Sequence, residues 1–261
     1  MTHAAAGLTR ARAGRVPLAV MAMIGLAWAV VVAAQATGAS SLVHHDVLLS
    51  DGPPALPAIA LFVIGWQVML TAMMLPSSLP LVGLFATASA KAPRSGAAMA
   101  AFLSGYALVW TGFGALAAVL DMALHAGVEA SPWLDRHQWL IGGTVLALAG
   151  AFQFTKLKDA CLDRCRHPAA FIWRHYERGI GGGLRLGARH AAFCVGCCWA
   201  LMLVMFAVGV TSLLWMAALT ALMVHEKTRP SGAAAVPVTG VALLAGASIT
   251  TLYSAHGAGV I

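Results

Sequence analysis

Three of the chain's five cysteines and two of its twelve methionines fall within Cys194-Val195-Gly196-Cys197-Cys198-Trp199-Ala200-Leu201-Met202-Leu203-Val204-Met205. At helical spacing Cys194, Cys198, Met202 and Met205 share a face, because side chains three and four apart stack along a helix. Thiolate and thioether sulfur is the donor set that suits soft metal ions, Cu(I) above all. Cys194 and Cys197 also stand as C-x-x-C, the spacing of thiol–disulfide centres. A cysteine with neither role packs as a small hydrophobe. Metal binding, redox chemistry and packing are therefore the three readings, and only the first makes use of the methionines.

Two further groups carry possible donors. Trp66-Gln67-Val68-Met69-Leu70-Thr71-Ala72-Met73-Met74-Leu75-Pro76 places Met69 and Met73 four apart on one helix face. Pro76, followed by Ser77, Ser78 and Pro80, should end or break that helix and free carbonyls locally. Cys161-Leu162-Asp163-Arg164-Cys165 is a second thiol pair, which Lys156, Lys158, Arg164 and Arg166 are expected to bias toward thiolate, with His167 as a possible nitrogen donor. Four ligands for a closed zinc site are not at hand locally, whereas two thiolates suffice for transient Cu(I) capture. His44-His45-Asp46 reads as solvated loop polarity. Glu226-Lys227 reads as a helix end that pairs at an interface while Lys227 snorkels.

The elements that must position these residues are apolar. The chain has 261 residues, 60% of them hydrophobic and only 10% charged, with a mean hydropathy of +0.83. A soluble domain carries about 25% charged residues, so the composition indicates an all-α, polytopic transmembrane bundle. Runs near the ~20 residues needed to span a bilayer occur at about Val16–Ala34, Ala58–Leu75, Met99–Leu120, Trp139–Phe154, Ala191–Val210, Thr211–Val224 and Val238–Tyr253. The expectation is seven helices, with six as the alternative. Fifteen of the sixteen Lys and Arg residues then fall on one side, only Arg136 on the other, which places the N-terminus (residues 1–15) in the cytoplasm. The net charge of +7 is thus a topological signal rather than a nucleic-acid surface. The first apolar run is longer than a signal-peptide core, which favours an uncleaved anchor.

Residues 16–261 read as a single transmembrane helical domain, whose one sizeable extramembrane piece is a cytoplasmic loop at about 155–190. Phe171–Arg178 within it is expected to lie as an interfacial amphipathic helix, and Gly181-Gly182-Gly183 to act as a flexible joint before the fifth span. Gly143, Ala147 and Ala151, with Gly105, Gly112 and Gly114, mark close helix contacts. At 1.5 Å per residue Met73 lies roughly 22 Å along the second span, in the same inner half of the bilayer as Cys194–Cys198 and Met223. The span interiors hold no acidic, basic or histidine residue of the kind that marks a proton or ion path. No phosphate-binding Gly-rich loop is present.

Trp66-(x)2-Met69-(x)3-Met73-Met74-(x)-Pro76, Lys158-Asp159-Ala160-Cys161-Leu162-(x)2-Cys165-Arg166-(x)-Pro168, Cys194-Val195-Gly196-Cys197-Cys198-Trp199-Ala200-Leu201-Met202, and Leu214-Trp215-Met216-Ala217-Ala218 before Glu226-Lys227 together resemble one family. It comprises bacterial integral membrane proteins catalogued as a domain of unknown function, predicted to bind metal and sometimes labelled copper chaperones. The match runs from about Pro57 to Pro230 and is weakest over the first span.

The resulting expectation is a bacterial inner-membrane protein that binds Cu(I) for copper delivery or homeostasis, a carrier being favoured over an enzyme. Cys194, Cys197, Cys198 and Met202 form its central site, Met69 and Met73 are candidate thioethers, and Cys161 and Cys165 exchange the ion with the cytoplasmic side. Its partners are the metal ion, the lipid bilayer and a copper-accepting protein, with no nucleic acid. The alternatives are a membrane thiol–disulfide oxidoreductase using Cys194 and Cys197, and a non-catalytic assembly subunit. Redox exchange is disfavoured because no outside loop carries cysteine and the cytoplasmic side is reducing.

Overall fold

The structure, a computed structural model, describes residues 2–38, 55–208 and 212–257. Among these the chain is all-helical: α1 (Thr2–Ala36), α2 (Ala55–Met73), α3 (Leu75–Ser89), α4 (Ser95–Ala130), α5 (Pro132–Arg136), α6 (Trp139–Phe152), α7 (Lys156–Arg166), α8 (Pro168–His175), α9 (Gly179–Val208), α10 (Leu213–Thr228) and α11 (Gly232–Gly257). His44-His45-Asp46 lies outside the described residues.

Two bends define the centre of the bundle. At Met74 the chain turns by 73° from α2 into α3. Pro76 sits in the first turn of α3, where its missing N–H breaks no intrahelical bond. The carbonyl four residues earlier, Ala72, accepts the Trp28 indole N–H of α1 at 3.0 Å instead. The second bend, 66°, separates α6 from α7. There Thr155 caps α7, its hydroxyl accepting the Lys158 N–H at 3.2 Å.

The longest interface joins α4 to α9. It is built from glycine against carbonyl: a Cβ on Gly183 would strike the Ala98 carbonyl, one on Gly187 that of Phe102, and one on Gly105 that of Leu184. Backbones this close gain Cα–H···O contacts and dispersion without hydrophobic driving force. Gly181-Gly182-Gly183 is therefore not a joint, because these residues are the first turns of α9, which begins well before the expected start of the fifth span. α11 packs on α6 in the same manner, with Gly143 against Thr251 and Gly150 against the Gly240 carbonyl. Gly112 meets nothing within 4 Å. In α8, Phe171 is buried and Trp173 is 90% exposed.

Four helices, α1, α4, α9 and α11, are long and apolar enough to cross a membrane, and the count rises to six if each bent pair is one span. At 16 residues, α10, the expected sixth span, falls short of that length. Leu26, Leu108, Leu116, Val238 and Ile249 on α1, α4 and α11 are all more than half exposed, as expected of helices that face lipid.

Candidate metal centre

α9 supplies five sulfur-bearing side chains to the core. Cys194, Cys197, Cys198, Met202 and Met205 are each at most 1% exposed. Intrahelical geometry ties two thiols to the turn above them: Cys197 Sγ and Cys198 Sγ both donate to the Cys194 carbonyl, at 3.1 and 2.8 Å. Around this core the neighbouring elements present further sulfur. The bend at residues 153–155 turns α7 onto α9, and Cys165 Sγ comes to 4.0 Å from Cys197 Sγ. Cys161 Sγ lies against Gly196, 2.6 Å from where a Cβ would stand, so a glycine between Cys194 and Cys197 lets α7 dock. At the other bend, Met74 Sδ is 3.9 Å from Cys198 Sγ. Met69 and Met73 are buried in the same cluster, but the thioether that meets a thiol is that of their neighbour Met74. All five cysteines are free.

Charged side chains from outside the apolar runs also enter the core. Lys227 of α10 is buried at 5% exposure, and its Nζ lies 3.1 Å from Cys194 Sγ, 3.8 Å from Cys198 Sγ and 3.2 Å from Ser77 Oγ. It does not snorkel to an interface: the thiols and the Ser77 hydroxyl, exposed to it by the bend, offer partners inside. Glu226 does not pair with its neighbour. It accepts from Lys158 Nζ of α7 at 2.7 Å, with both side chains at most 2% exposed. Arg166 fastens the same two helices, donating to the carbonyls of Glu226, Arg229 and Pro230 at 2.6, 3.1 and 3.3 Å. On the far side, Tyr106 OH is 3.3 Å from Cys194 Sγ, and Ser78 Oγ lies 3.4 Å from Tyr106 OH and 3.0 Å from His190 Nε2.

These pairings also change the expected electrostatics of α7. Burial pushes the Cys161 thiol up from its ordinary pKa, Cys197 adds to the effect and Arg164 opposes it. Lys158 is spent on Glu226 and Arg166 on carbonyls, so the basic residues of α7 do not turn Cys161 into a ready thiolate. His167 bonds back to the Asp163 carbonyl.

Chemically, the centre holds thiols in pairs, with a thioether beside one pair and an ammonium beside it. Among the described residues no three His, Cys, Asp or Glu side chains are grouped so as to hold a metal ion. That disfavours a closed, four-coordinate zinc site, which needs four such ligands. It leaves low-coordinate sulfur, for which Cys165 and Cys197, with their sulfurs 4.0 Å apart, would be two donors. The donor set suits a soft monovalent ion.

Fold and site together describe a helical protein with several helices long and apolar enough to span a membrane and a buried cluster of soft donors. A family model described as "PpoB2: Copper chaperone" matches residues 63–250, and the chain belongs to that family. No curated protein matches the chain, and no solved structure does.

Sequence reasoning passed over Tyr106, His190 and Met74, and gave Lys158, Glu226 and Lys227 other roles. Lys158 and Glu226-Lys227 were visible as parts of motifs, but nothing local shows that they meet across 68 residues. Met74 was visible as the second member of a Met-Met doublet, and the helix break decides which of the two faces Cys198.

Proposed function

We propose that the chain is a copper chaperone of the bacterial inner membrane that takes up Cu(I) on buried sulfur and passes it to a copper-accepting protein. Cys194, Cys197, Cys198 and Met202 are the donors of the central region, of which two thiols at a time take the ion, with Met69 and Met73 in the surrounding thioether layer and Met74 beside Cys198. Cys161 and Cys165, at 8% exposure the least buried of the thiols, exchange the ion with the cytoplasm, the side assigned by the distribution of Lys and Arg. Residues 16–261 act as a single transmembrane domain. The observation that carries this reading is the convergence of Cys165, from α7, on Cys197 and of Met74, from the α2–α3 bend, on Cys198 of α9.

The test is anaerobic loading of the purified protein with Cu(I) against a competing chelator. The wild type should retain Cu(I), and Cys194→Ser/Cys198→Ser should lose most of it. Equal binding by the double variant would sink the assignment.

The oxidoreductase alternative has one observation in its favour, the 4.0 Å approach of Cys165 to Cys197, which pairs thiols other than those of the C-x-x-C motif. Thiol trapping in intact cells separates the two: an oxidoreductase cycles a Cys165–Cys197 disulfide, whereas a carrier keeps all five thiols reduced.

A further inference from the structure

Away from the sulfur cluster, a cavity of 630 Å³ opens where the α3–α4 turn meets the start of α9. Lys91, Arg94 and Arg178 line it, together with Tyr176 and Ile180, and no carboxylate does. Tyr176 OH donates to the Ala88 carbonyl at 3.1 Å, which ties the two walls together. The nearest acid in sequence, Glu177, is engaged by Arg185, and neither of these lines the cavity. Among the described residues Lys91, Arg94 and Arg178 have neither an ion pair nor a side-chain hydrogen bond. Three like charges face one space with nothing to offset them, an arrangement that an anion relieves.

The rim indicates which anion. Ile180, which lines the cavity, is 44% exposed; Leu184, one turn further along α9, is 40% exposed, and Leu84, one turn before the lining residue Ala88 of α3, is 39% exposed. The cavity thus joins a cationic bowl to an apolar strip at the end of two membrane-length helices, α4 and α9. A free phosphate would use only the bowl, but a phospholipid would use both. We propose that this cavity seats the phosphate headgroup of an anionic phospholipid, with its acyl chains along the exposed Leu84, Ile180 and Leu184. Basic pockets between transmembrane helices bind lipid headgroups by this chemistry. The site is independent of the copper reading, since it shares no residue with the sulfur centre.

The experiment is thermal unfolding of the full-length, detergent-purified protein with added phosphatidylglycerol, phosphatidylcholine or inorganic phosphate. Phosphatidylglycerol should raise the midpoint by several degrees and phosphatidylcholine should leave it unchanged. The shift should vanish in Lys91→Gln/Arg94→Gln/Arg178→Gln and persist in Lys156→Gln/Arg174→Gln/Arg189→Gln, which removes the same charge from exposed positions outside the cavity. If the triple variant does not fold, native mass spectrometry of Arg94→Gln should still show fewer retained phosphatidylglycerol molecules than the wild type. Equal loss of the shift in both triple variants would overturn the proposal in favour of diffuse surface charge. A full shift with inorganic phosphate would overturn it in favour of a soluble anion, and equal shifts with the two lipids would remove any role for the headgroup charge.

Discussion

Replacing Lys227 with glutamine should weaken Cu(I) binding far more than Zn(II) binding, because of the charge each ion leaves behind. With its thiols protonated, the Cys194/Cys198 pair and the Lys227 ammonium carry one positive charge in a core from which water is excluded. Cu(I) bound to two thiolates, with both protons released, has a net charge of minus one, which Lys227 neutralises. Zn(II) bound in the same way is neutral and leaves Lys227 uncompensated. The ammonium lies 3.1 Å from Cys194 Sγ and 3.8 Å from Cys198 Sγ, where opposite unit charges attract by roughly 5 kcal/mol at an effective dielectric of about 20. Part of that offsets the cost of burying the cation, and breaking a buried pair typically costs about 3–5 kcal/mol. Even the lower end corresponds to roughly a hundredfold loss of Cu(I) affinity at about 1.4 kcal/mol per tenfold. Glutamine is the suitable substitute because it can keep the bond to Ser77 and, unlike methionine, adds no sulfur. The assay is anaerobic competition against a Cu(I) chelator at fixed pH, repeated with a Zn(II) indicator, and Lys227→Arg serves as the charge-retaining control. Cu(I) affinity of Lys227→Gln within threefold of wild type, or an equal fall for both ions, would refute the charge argument.

The buried Lys158–Glu226 pair predicts that Glu226→Gln destabilises the protein by about 3–5 kcal/mol, seen as a lower midpoint in detergent, and that Lys158→Met/Glu226→Leu recovers a substantial part of it. Gly196→Ala sets a methyl 2.6 Å from Cys161 Sγ, so α7 should lift from α9. Maleimide labelling of Cys161 and Cys165 should then accelerate severalfold, and adding Cys161→Ala should reverse the change at Cys165. Gly187→Val drives a side chain into the Phe102 carbonyl at the α4–α9 contact and should abolish stable accumulation in the membrane fraction, whereas the same change at Gly112, which meets nothing within 4 Å, should be tolerated.

Long apolar runs made α4 and α11 plain in the sequence, and Pro76 marked the break between α2 and α3, because spans and proline act locally. Non-local forces decided the rest. Gly181-Gly182-Gly183 has the composition of a joint, yet it is helical because Gly183 must pass the Ala98 carbonyl. The change from apolar to charged residues at 153–156 marks where the fourth run ends, but not that the chain bends there by 66° and lays α7 on α9. Sulfur spacing along α9 placed Cys194, Cys198, Met202 and Met205 on one face without revealing what that face meets. The inward turn of Lys227 depends on thiols 29 and 33 residues away, a distance at which no helical periodicity carries information. The Lys and Arg count read Lys227 as a surface topology signal, although its side chain faces the core.

The two helix breaks explain why the chemistry sits where it does. A straight transmembrane helix satisfies its own backbone and can offer only side chains to a neighbour. At Met74 the 73° turn and Pro76 release the Ala72 carbonyl, which accepts from Trp28, and the turn sets Met74 sulfur and the Ser77 hydroxyl against Cys198 and Lys227. At residues 153–155 the 66° turn allows α7, with six charged residues in eleven, to lay Cys161 and Cys165 against an apolar helix while Lys158 and Arg166 find their partners on α10. The first break thus brings one thioether and a hydroxyl that accepts from Lys227, and the second brings two thiols together with a lysine and an arginine that fasten α7 to α10. Low-coordinate sulfur suits an ion that must leave again, since fewer ligands have to be exchanged one by one. Lys158 and Glu226 compensate each other, which leaves Lys227 as the positive charge nearest the Cys194/Cys198 pair. On the copper reading proposed above, one monovalent ion on two thiolates would balance the Lys227 charge, whereas a second ion or a divalent one would leave a net charge buried in the bundle.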